Sequence, residues 1–197
     1  MKTIKIIICM VFVVLLTSMG RSKNPVIYVV GINHPSKNDI ELVKNNLKTF
    51  YRCDVFILKT IDIPKSIKVS GTDKYQSVKI VEYLNDRYRN IDGKVIGVTN
   101  VDICTDRILN GKVNKNWGIF GLSILGKQSS IVSTKRLKVN HNNRLKKVSV
   151  HEVGHSLGIP HCESNYPCLM KDAKGKGSKV DKELLWMCDD CKNKIKY

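Results

Sequence analysis

The pattern of apolar and polar positions predicts that strands and helices alternate along the first half of the chain. Residues 25 to 31 (PVIYVVG) form a short β-branched run typical of a buried strand, and residues 54 to 60 and 94 to 99 are further strand candidates. Between them, apolar residues recur at helical spacing over residues 36 to 51 and 73 to 88. This alternation indicates an α/β fold with a mixed, largely parallel twisted sheet and covering helices.

The second half of the chain is less regular, because glycines become frequent and the apolar runs shorten. The runs at 117 to 125 and 130 to 133 predict further strands, one of them at the sheet edge. A basic polar stretch from 135 to 147 leads into another helix. Residues 171 to 179, rich in lysine and glycine, predict a flexible exposed connection, and residues 181 to 187 predict a short helix.

The first twenty residues differ from the rest of the chain. Lys2 and Lys5 precede an apolar run of about 11 residues, which is too short to span a bilayer, and the small residues Ser18 and Gly20 follow. This pattern is typical of a signal peptide, so we expect residues 1–20 to be removed and the mature chain to be exported, either secreted or periplasmic. An uncleaved N-terminal membrane anchor is the alternative. We expect no membrane span in the mature chain.

The composition adds a strongly basic balance. The chain has 197 residues, with 34 Lys and Arg against 17 Asp and Glu, and a formal net charge of +17. This length suits one domain, and 42% hydrophobic residues suffice for a packed core. Basic chains often bind nucleic acid, so nucleic-acid binding is one function that this balance suggests. Lysines are spread over every segment, however, as on a solvated surface, so we expect no specific nucleic acid partner and a monomer.

One motif carries recognisable chemistry, at residues 151 to 162 (HEVGHSLGIPHC). On a helix, His151 and His155 are four residues apart and lie on one face, so their imidazoles can converge on one metal ion. Glu152 projects beside that ion, where its carboxylate can reach a water molecule. The spacing therefore predicts two metal ligands and a general base on a single helix.

A turn after this helix can supply a third ligand. Gly158 can adopt the left-handed conformation that ends a helix, and Pro160 prevents the helix from resuming, so the chain would bring His161 back to the metal. Three neutral nitrogens leave a fourth tetrahedral position for water, which is the arrangement of a catalytic rather than a structural zinc.

Without the signal peptide the chain has six cysteines, four of them near the C-terminus: Cys162, Cys168, Cys188 and Cys191. Four thiolates that include a C-x-x-C pair suit a closed, structural zinc site. Two disulfides are the alternative, favoured by export and disfavoured because pairing within C-x-x-C closes a small strained loop. The other two cysteines, Cys53 and Cys104, each lie next to a predicted strand, where they can form a disulfide or remain buried thiols.

The order HExxHxxGxxHC, a cysteine in C-x-M, a spacer of seventeen residues and C-x-x-C resembles the archaemetzincins, a metzincin family of zinc metallopeptidases. Two features depart from the family pattern, namely the export signal and the five residues, instead of four, between Cys162 and Cys168. The resemblance implies a metzincin-like α+β fold. Its N-terminal subdomain (21–158) would carry the active-site helix, and a small C-terminal subdomain (159–197) would carry the second zinc.

The resemblance also implies the role of each site residue. Two zinc ions are expected per chain, a catalytic one bound by His151, His155 and His161, and a structural one bound by Cys162, Cys168, Cys188 and Cys191. Glu152 would be the general base and acid, and Met170 would lie in a Met-turn beneath the zinc histidines.

We therefore expect an exported zinc metallopeptidase that hydrolyses peptide bonds. The alternatives are a basic nucleic-acid-binding zinc protein and a zinc-loaded but latent metallopeptidase homologue. A peptide substrate would lie extended along an edge strand, for which residues 117 to 125 are the candidate. Tyr166 is either an oxyanion ligand or a surface residue.

Overall fold

The computed structural model describes residues 25–109 and 111–195. The expected signal peptide, residues 1–20, lies outside this part of the chain. Within the described part, no helix is both long and apolar enough to cross a membrane.

The described chain forms eight strands and five α-helices. The strands are β1 (Ile27–Ile32), β2 (Val55–Ile61), β3 (Lys74–Gln76), β4 (Lys94–Thr99), β5 (Asp102–Leu109), β6 (Lys112–Gly118), β7 (Gly121–Ser123) and β8 (Ser129–Ser133). The helices are α1 (Lys37–Tyr51), α2 (Ser77–Arg87), α3 (His141–Ser156), α4 (Gly177–Lys182) and α5 (Asp189–Lys192), with a 3-10 turn at Lys65–Ile67.

The main sheet has five strands in the order β2, β1, β4, β8 and β7. The first four run parallel, and β7 pairs with β8 in the antiparallel direction at one edge. The central strands are buried almost throughout, because α1 and α3 pack on one face and α2 packs on the other. The expected mixed, largely parallel sheet with covering helices is confirmed.

A second, smaller sheet consists of β3, β5 and β6, which the hydrophobic pattern did not predict as a unit. The predicted helix from residue 73 begins only at Ser77, because Lys74–Gln76 pairs instead with β5. The side-chain amide of Gln76 also donates to Oδ1 of Asn116, at 2.9 Å. Pairing between distant segments thus replaces the first turn of the predicted helix.

The C-terminal segment also differs from its prediction. The helix predicted over residues 181 to 187 is wrong, because α4 occupies Gly177–Lys182 and ends where backbone pairing begins. The amide of Leu184 donates to the carbonyl of Pro167, at 3.3 Å, and the amide of Leu169 donates to the carbonyl of Trp186, at 2.8 Å. These bonds hold residues 184 to 186 against residues 167 to 169.

Candidate active site

Helix α3 places two histidine side chains on one face and then ends. The ring centroids of His151 and His155 lie 4.5 Å apart. The helix stops after Ser156, Gly158 has a φ of 90°, and the amide of Ile159 bonds back to the carbonyl of Gly154 at 3.0 Å. The predicted positive φ of the glycine is confirmed, and the turn directs His161 back towards the helix.

The three imidazoles converge through the same ring nitrogen. Nε2 of His155 lies 2.9 Å from Nε2 of His151 and 3.3 Å from Nε2 of His161. Tetrahedral zinc with Zn–N bonds of about 2.0 to 2.1 Å separates its nitrogen ligands by about 3.3 Å. The donor set and its spacing therefore fit a zinc ion bound by three histidines.

Backbone carbonyls fix which ring nitrogens face the centre of this cluster. Nδ1 of His151 lies 2.8 Å from the carbonyl oxygen of Leu169, and Nδ1 of His155 lies 2.7 Å from that of Ile159. A carbonyl only accepts, so each Nδ1 carries the proton and each Nε2 presents a lone pair. Burial lowers the pKa of His151 to about 3 and also lowers the pKa of His155. Both rings are therefore neutral at pH 7, as metal binding requires.

Glu152 lies on the same helix and is only 7% exposed. Burial raises the pKa of its carboxyl to about 8. The carboxylate lies against β7, where a Cβ added to Gly121 would meet Oε1 and Cγ of Glu152 at 2.7 Å. Glu152 therefore packs on the edge strand at a position where that strand has no side chain.

These groups line a cleft of about 330 Å³. One side is the edge strand β7, so part of the predicted stretch from 117 to 125 does border the site. Residues 172 to 175 and Val180 on α4 also line the cleft. The second sheet also contacts this segment, because Arg107 on β5 forms a 3.9 Å ion pair with Asp172. An extended segment along β7 would thus pass next to the histidines.

Met170 lies directly beneath α3. It is fully buried, and a Cβ added to Gly154 would meet its Sδ at 2.6 Å. Gly154 stands between the two helical histidines in the sequence, so the absence of a side chain there lets the thioether reach the helix. The resemblance expected a methionine at this place.

The four clustered cysteines also come together, and all are free thiols. Sγ of Cys162 lies 3.7 Å from Sγ of Cys188, and Sγ of Cys168 lies 3.9 Å from Sγ of Cys191. A disulfide requires about 2.0 Å, whereas tetrahedral zinc with Zn–S bonds of about 2.3 Å separates its sulfurs by about 3.8 Å. The geometry therefore fits a zinc ion, and the structure does not contain the alternative pair of disulfides.

Three other sequence candidates lie away from the cleft. Tyr166 is 64% exposed, packs against Trp186 and does not line the cleft. It is therefore a surface residue and not an oxyanion ligand. Cys53 and Cys104 are both buried free thiols, not a disulfide. Burial raises the pKa of Cys53 to about 11, which keeps that thiol protonated.

Sequence reasoning missed several cleft residues. The charged side chains that it did not single out are Arg107, Lys147, Asp172, Lys174 and Glu183. Only Lys147 could have been found from the sequence, because it lies one helical turn before His151 and must share the same face of the helix. Arg107 reaches the cleft from the second sheet, and Asp172, Lys174 and Glu183 reach it from the segments on either side of α4. The hydrophobic pattern did not place these elements correctly.

Comparison with known proteins agrees with this geometry. A model of peptidase family M54 matches residues 26–197. The archaemetzincin of Natronomonas pharaonis is 30% identical over 164 residues, which cover 77% of this chain and 88% of the relative. The archaemetzincin of Archaeoglobus fulgidus is 28% identical over 167 residues, which cover 82% of this chain and 94% of the relative.

Two solved structures share the fold. The crystal structure of the Archaeoglobus fulgidus archaemetzincin complexed with malonate has a TM-score of 0.69 at 26% identity, covering 86% of this chain and 99% of that one. The crystal structure of the Methanopyrus kandleri archaemetzincin also has a TM-score of 0.69, at 19% identity, and covers 89% of this chain and 95% of that one.

The fold and the histidine-bearing helix therefore define a zinc metallopeptidase, a hydrolase that acts on peptide bonds. The chain belongs to peptidase family M54 and resembles archaemetzincins over most of its length.

Proposed function

We propose that the chain is an exported zinc metallopeptidase whose catalytic zinc is held by His151, His155 and His161, with Glu152 as general base and acid. The observation that carries this proposal is the convergence of three imidazoles beside a buried glutamate in an open cleft. When bound there, zinc supplies Lewis acidity, which polarises a carbonyl and lowers the pKa of water.

The chain's own residues perform the proton transfers. Next to a divalent cation the carboxylate of Glu152 would be ionised at neutral pH, since an opposite charge offsets the effect of burial on its pKa. Glu152 accepts a proton from the water that attacks the peptide carbonyl, and then passes it to the leaving amine. Its burial against Gly121 excludes bulk water from that carboxylate.

The edge strand β7 positions the substrate. One side of β7 pairs with β8, so its other side offers unpaired backbone groups to an extended peptide. Such a peptide would lie over Glu152 and next to the histidines, which line the same cleft. Peptide substrates would therefore bind by strand addition.

We propose a second, structural zinc at Cys162, Cys168, Cys188 and Cys191. The amide of Cys188 points at Sγ of Cys168, at 3.4 Å, as is common for a metal-bound thiolate. The carbonyl of Met170 accepts from the amide of Cys162, at 2.8 Å, so this site is joined directly to the segment beneath α3.

The decisive test is Glu152→Gln in zinc-loaded protein, assayed on a mixed peptide library. We expect turnover to fall at least about a thousandfold while bound zinc stays at the wild-type level, because the amide cannot accept the proton. The matched control is Glu82→Gln, which removes the same charge from the exposed face of α2. Unchanged turnover in Glu152→Gln would refute the general-base role, and zinc-loaded wild type that cleaves nothing would indicate the latent alternative.

A further inference from the structure

One part of the cleft is a pocket between α3 and α4, beside His151. Helix α3 supplies Lys147 and Val148, one turn before that histidine, and the α4 side supplies Val180 and Glu183. Together with Ala173, the valines give the pocket apolar walls. A substrate side chain next to the scissile bond would enter here, because the pocket opens directly beside the proposed zinc ligand.

The walls of this pocket are held rigidly. The guanidinium of Arg144 on α3 donates two hydrogen bonds to the carboxylate of Asp181 on α4, at 2.8 and 2.6 Å. The buried ammonium of Lys147 donates to the backbone carbonyls of Val180 and Asp181, at 2.8 and 3.1 Å. A Cβ on Gly177 would lie 2.7 Å from the Arg144 guanidinium, so the glycine permits this close approach. The pocket is therefore preorganised rather than formed on binding.

Glu183 is the charged group of this pocket that has no partner. Within residues 25–109 and 111–195 its carboxylate makes no hydrogen bond or ion pair. Lys147 lies near it, but the Lys147 ammonium is engaged by the two α4 carbonyls. Burial, together with the nearby Asp172, raises the pKa of Glu183 to about 7. A half-buried carboxylate without a partner is destabilised, and a cation that enters the pocket would relieve this.

We propose that this pocket accepts a lysine or arginine side chain of the substrate, and that Glu183 is its specificity-determining residue. The proposal rests on the proposed peptidase function. The aliphatic stem of the substrate side chain would pack on Val148, Ala173 and Val180, and its charged head would pair with Glu183. Lys171 and Lys179 are near enough to act on the Glu183 carboxyl, but within the described residues neither forms an ion pair with it. Arg107 is paired with Asp172, and Lys174 is exposed to solvent.

The first test compares zinc-loaded wild type on peptides that differ only at the residues flanking the cleaved bond, with Lys, Arg, Gln, Leu or Glu. We expect kcat/KM for Lys or Arg to exceed that for Gln about tenfold, as for one partly buried ion pair. Glu183→Gln should abolish this difference, and Glu183→Lys should reverse it in favour of Glu. Glu82→Gln, an exposed charge change on α2, should retain the wild-type preference.

The second test measures binding without turnover. The same peptides are titrated by calorimetry into the zinc-loaded Glu152→Gln protein, with and without Glu183→Gln. The dissociation constant of the Lys peptide should rise about tenfold in the double variant and that of the Leu peptide should not change. If active wild type prefers Glu, or ignores charge, this inference is wrong while the peptidase function stands. If the wild type cleaves nothing, the peptidase function fails, and the binding measurement still decides the pocket's preference.

Discussion

At the scale of single residues, the position of the proposed general base depends on a glycine in another element. A Cβ at Gly121 would lie 2.7 Å from Oε1 and Cγ of Glu152. The end of the glutamate side chain is flexible, so Gly121→Ala should shift the carboxylate rather than disrupt the fold. We expect kcat to fall about 10- to 100-fold with bound zinc unchanged, because a displacement near 1 Å has effects of this size. An unaltered kcat would show that Glu152 does not act from this position.

A second residue-scale prediction concerns the stability contributed by Glu183. Its pKa rises from an ordinary value near 4.5 to about 7 on folding, so the folded state favours the protonated carboxyl. The native state then binds more protons than the unfolded state between these values, and stability is lost as pH rises from about 5 to 7. Glu183→Gln removes this loss. Because the side chain is only about half buried, solvent screening reduces the expected gain to about 1 kcal/mol at pH 8.

Chemical denaturation of the zinc-loaded proteins at pH 5.5 and pH 8 measures this gain. The advantage of Glu183→Gln over wild type should be larger at pH 8. Glu82→Gln should show no such pH dependence, and an equal gain at both pH values would contradict the assigned shift.

Contacts between residues close in the sequence were predictable from their spacing. Contacts between residues that only the fold brings together were not. His151, Glu152 and His155 lie on one helical turn, and Gly158 fixes the turn that follows, so their convergence follows from helix geometry. The contact between Glu152 and Gly121 crosses from α3 to an edge strand about thirty residues away. No local period encodes such a contact, because it depends on how two elements pack.

At the scale of elements, α1 supports α3 from behind the histidines. The Tyr51 hydroxyl at the end of α1 donates to the carbonyl of Val150, at 2.8 Å, and also lies close to Gly154. Tyr51→Phe keeps the ring packing and removes only this bond. We expect the free energy of unfolding to fall by about 1 kcal/mol, with kcat/KM nearly unchanged. Tyr166→Phe, at an exposed tyrosine, is the control that should leave stability unaltered, and equal effects would contradict a role for this bond.

The boundaries of helices and strands were predicted correctly where a segment is buried along its whole length. The strand predicted over residues 94 to 99 matches β4, which is central and covered on both faces. The predictions failed for β3 and for the C-terminal helix, where short segments pair with partners far along the chain. The pocket proposed for a basic side chain is built from this second kind of segment, which is why Glu183 was not singled out from the sequence.

At the scale of the whole molecule, the net charge of +17 describes the protein surface more than its site. The cleft mixes basic and acidic side chains, and its chemistry depends on three histidines and one glutamate. We propose that export removes residues 1–20. N-terminal sequencing of protein recovered outside the cytoplasm should therefore begin at Arg21. Retention of Met1 in that material would favour the anchored alternative.

The proposed histidine zinc site should depend on the cysteine zinc site, whereas the cysteine site should not depend on the histidine site. The C-terminal core is small and consists mainly of cysteine and methionine side chains, so it needs the metal to fold. That same segment supplies His161 and the Leu169 carbonyl that orients His151. Loss of the cysteine site should therefore disorganise the histidine site. The histidines instead belong largely to α3, which packs on the main sheet and needs no metal to fold.

Metal analysis of two variants tests this asymmetry. His151→Ala should lower bound zinc from about two per chain to about one, with unfolding nearly unchanged, because the cysteine site remains closed. Cys191→Ser should lower bound zinc to nearly none, and limited proteolysis should then cut within residues 159 to 195. If Cys191→Ser retained one zinc and full peptidase activity, the C-terminal segment would fold without its metal and the two sites would be independent.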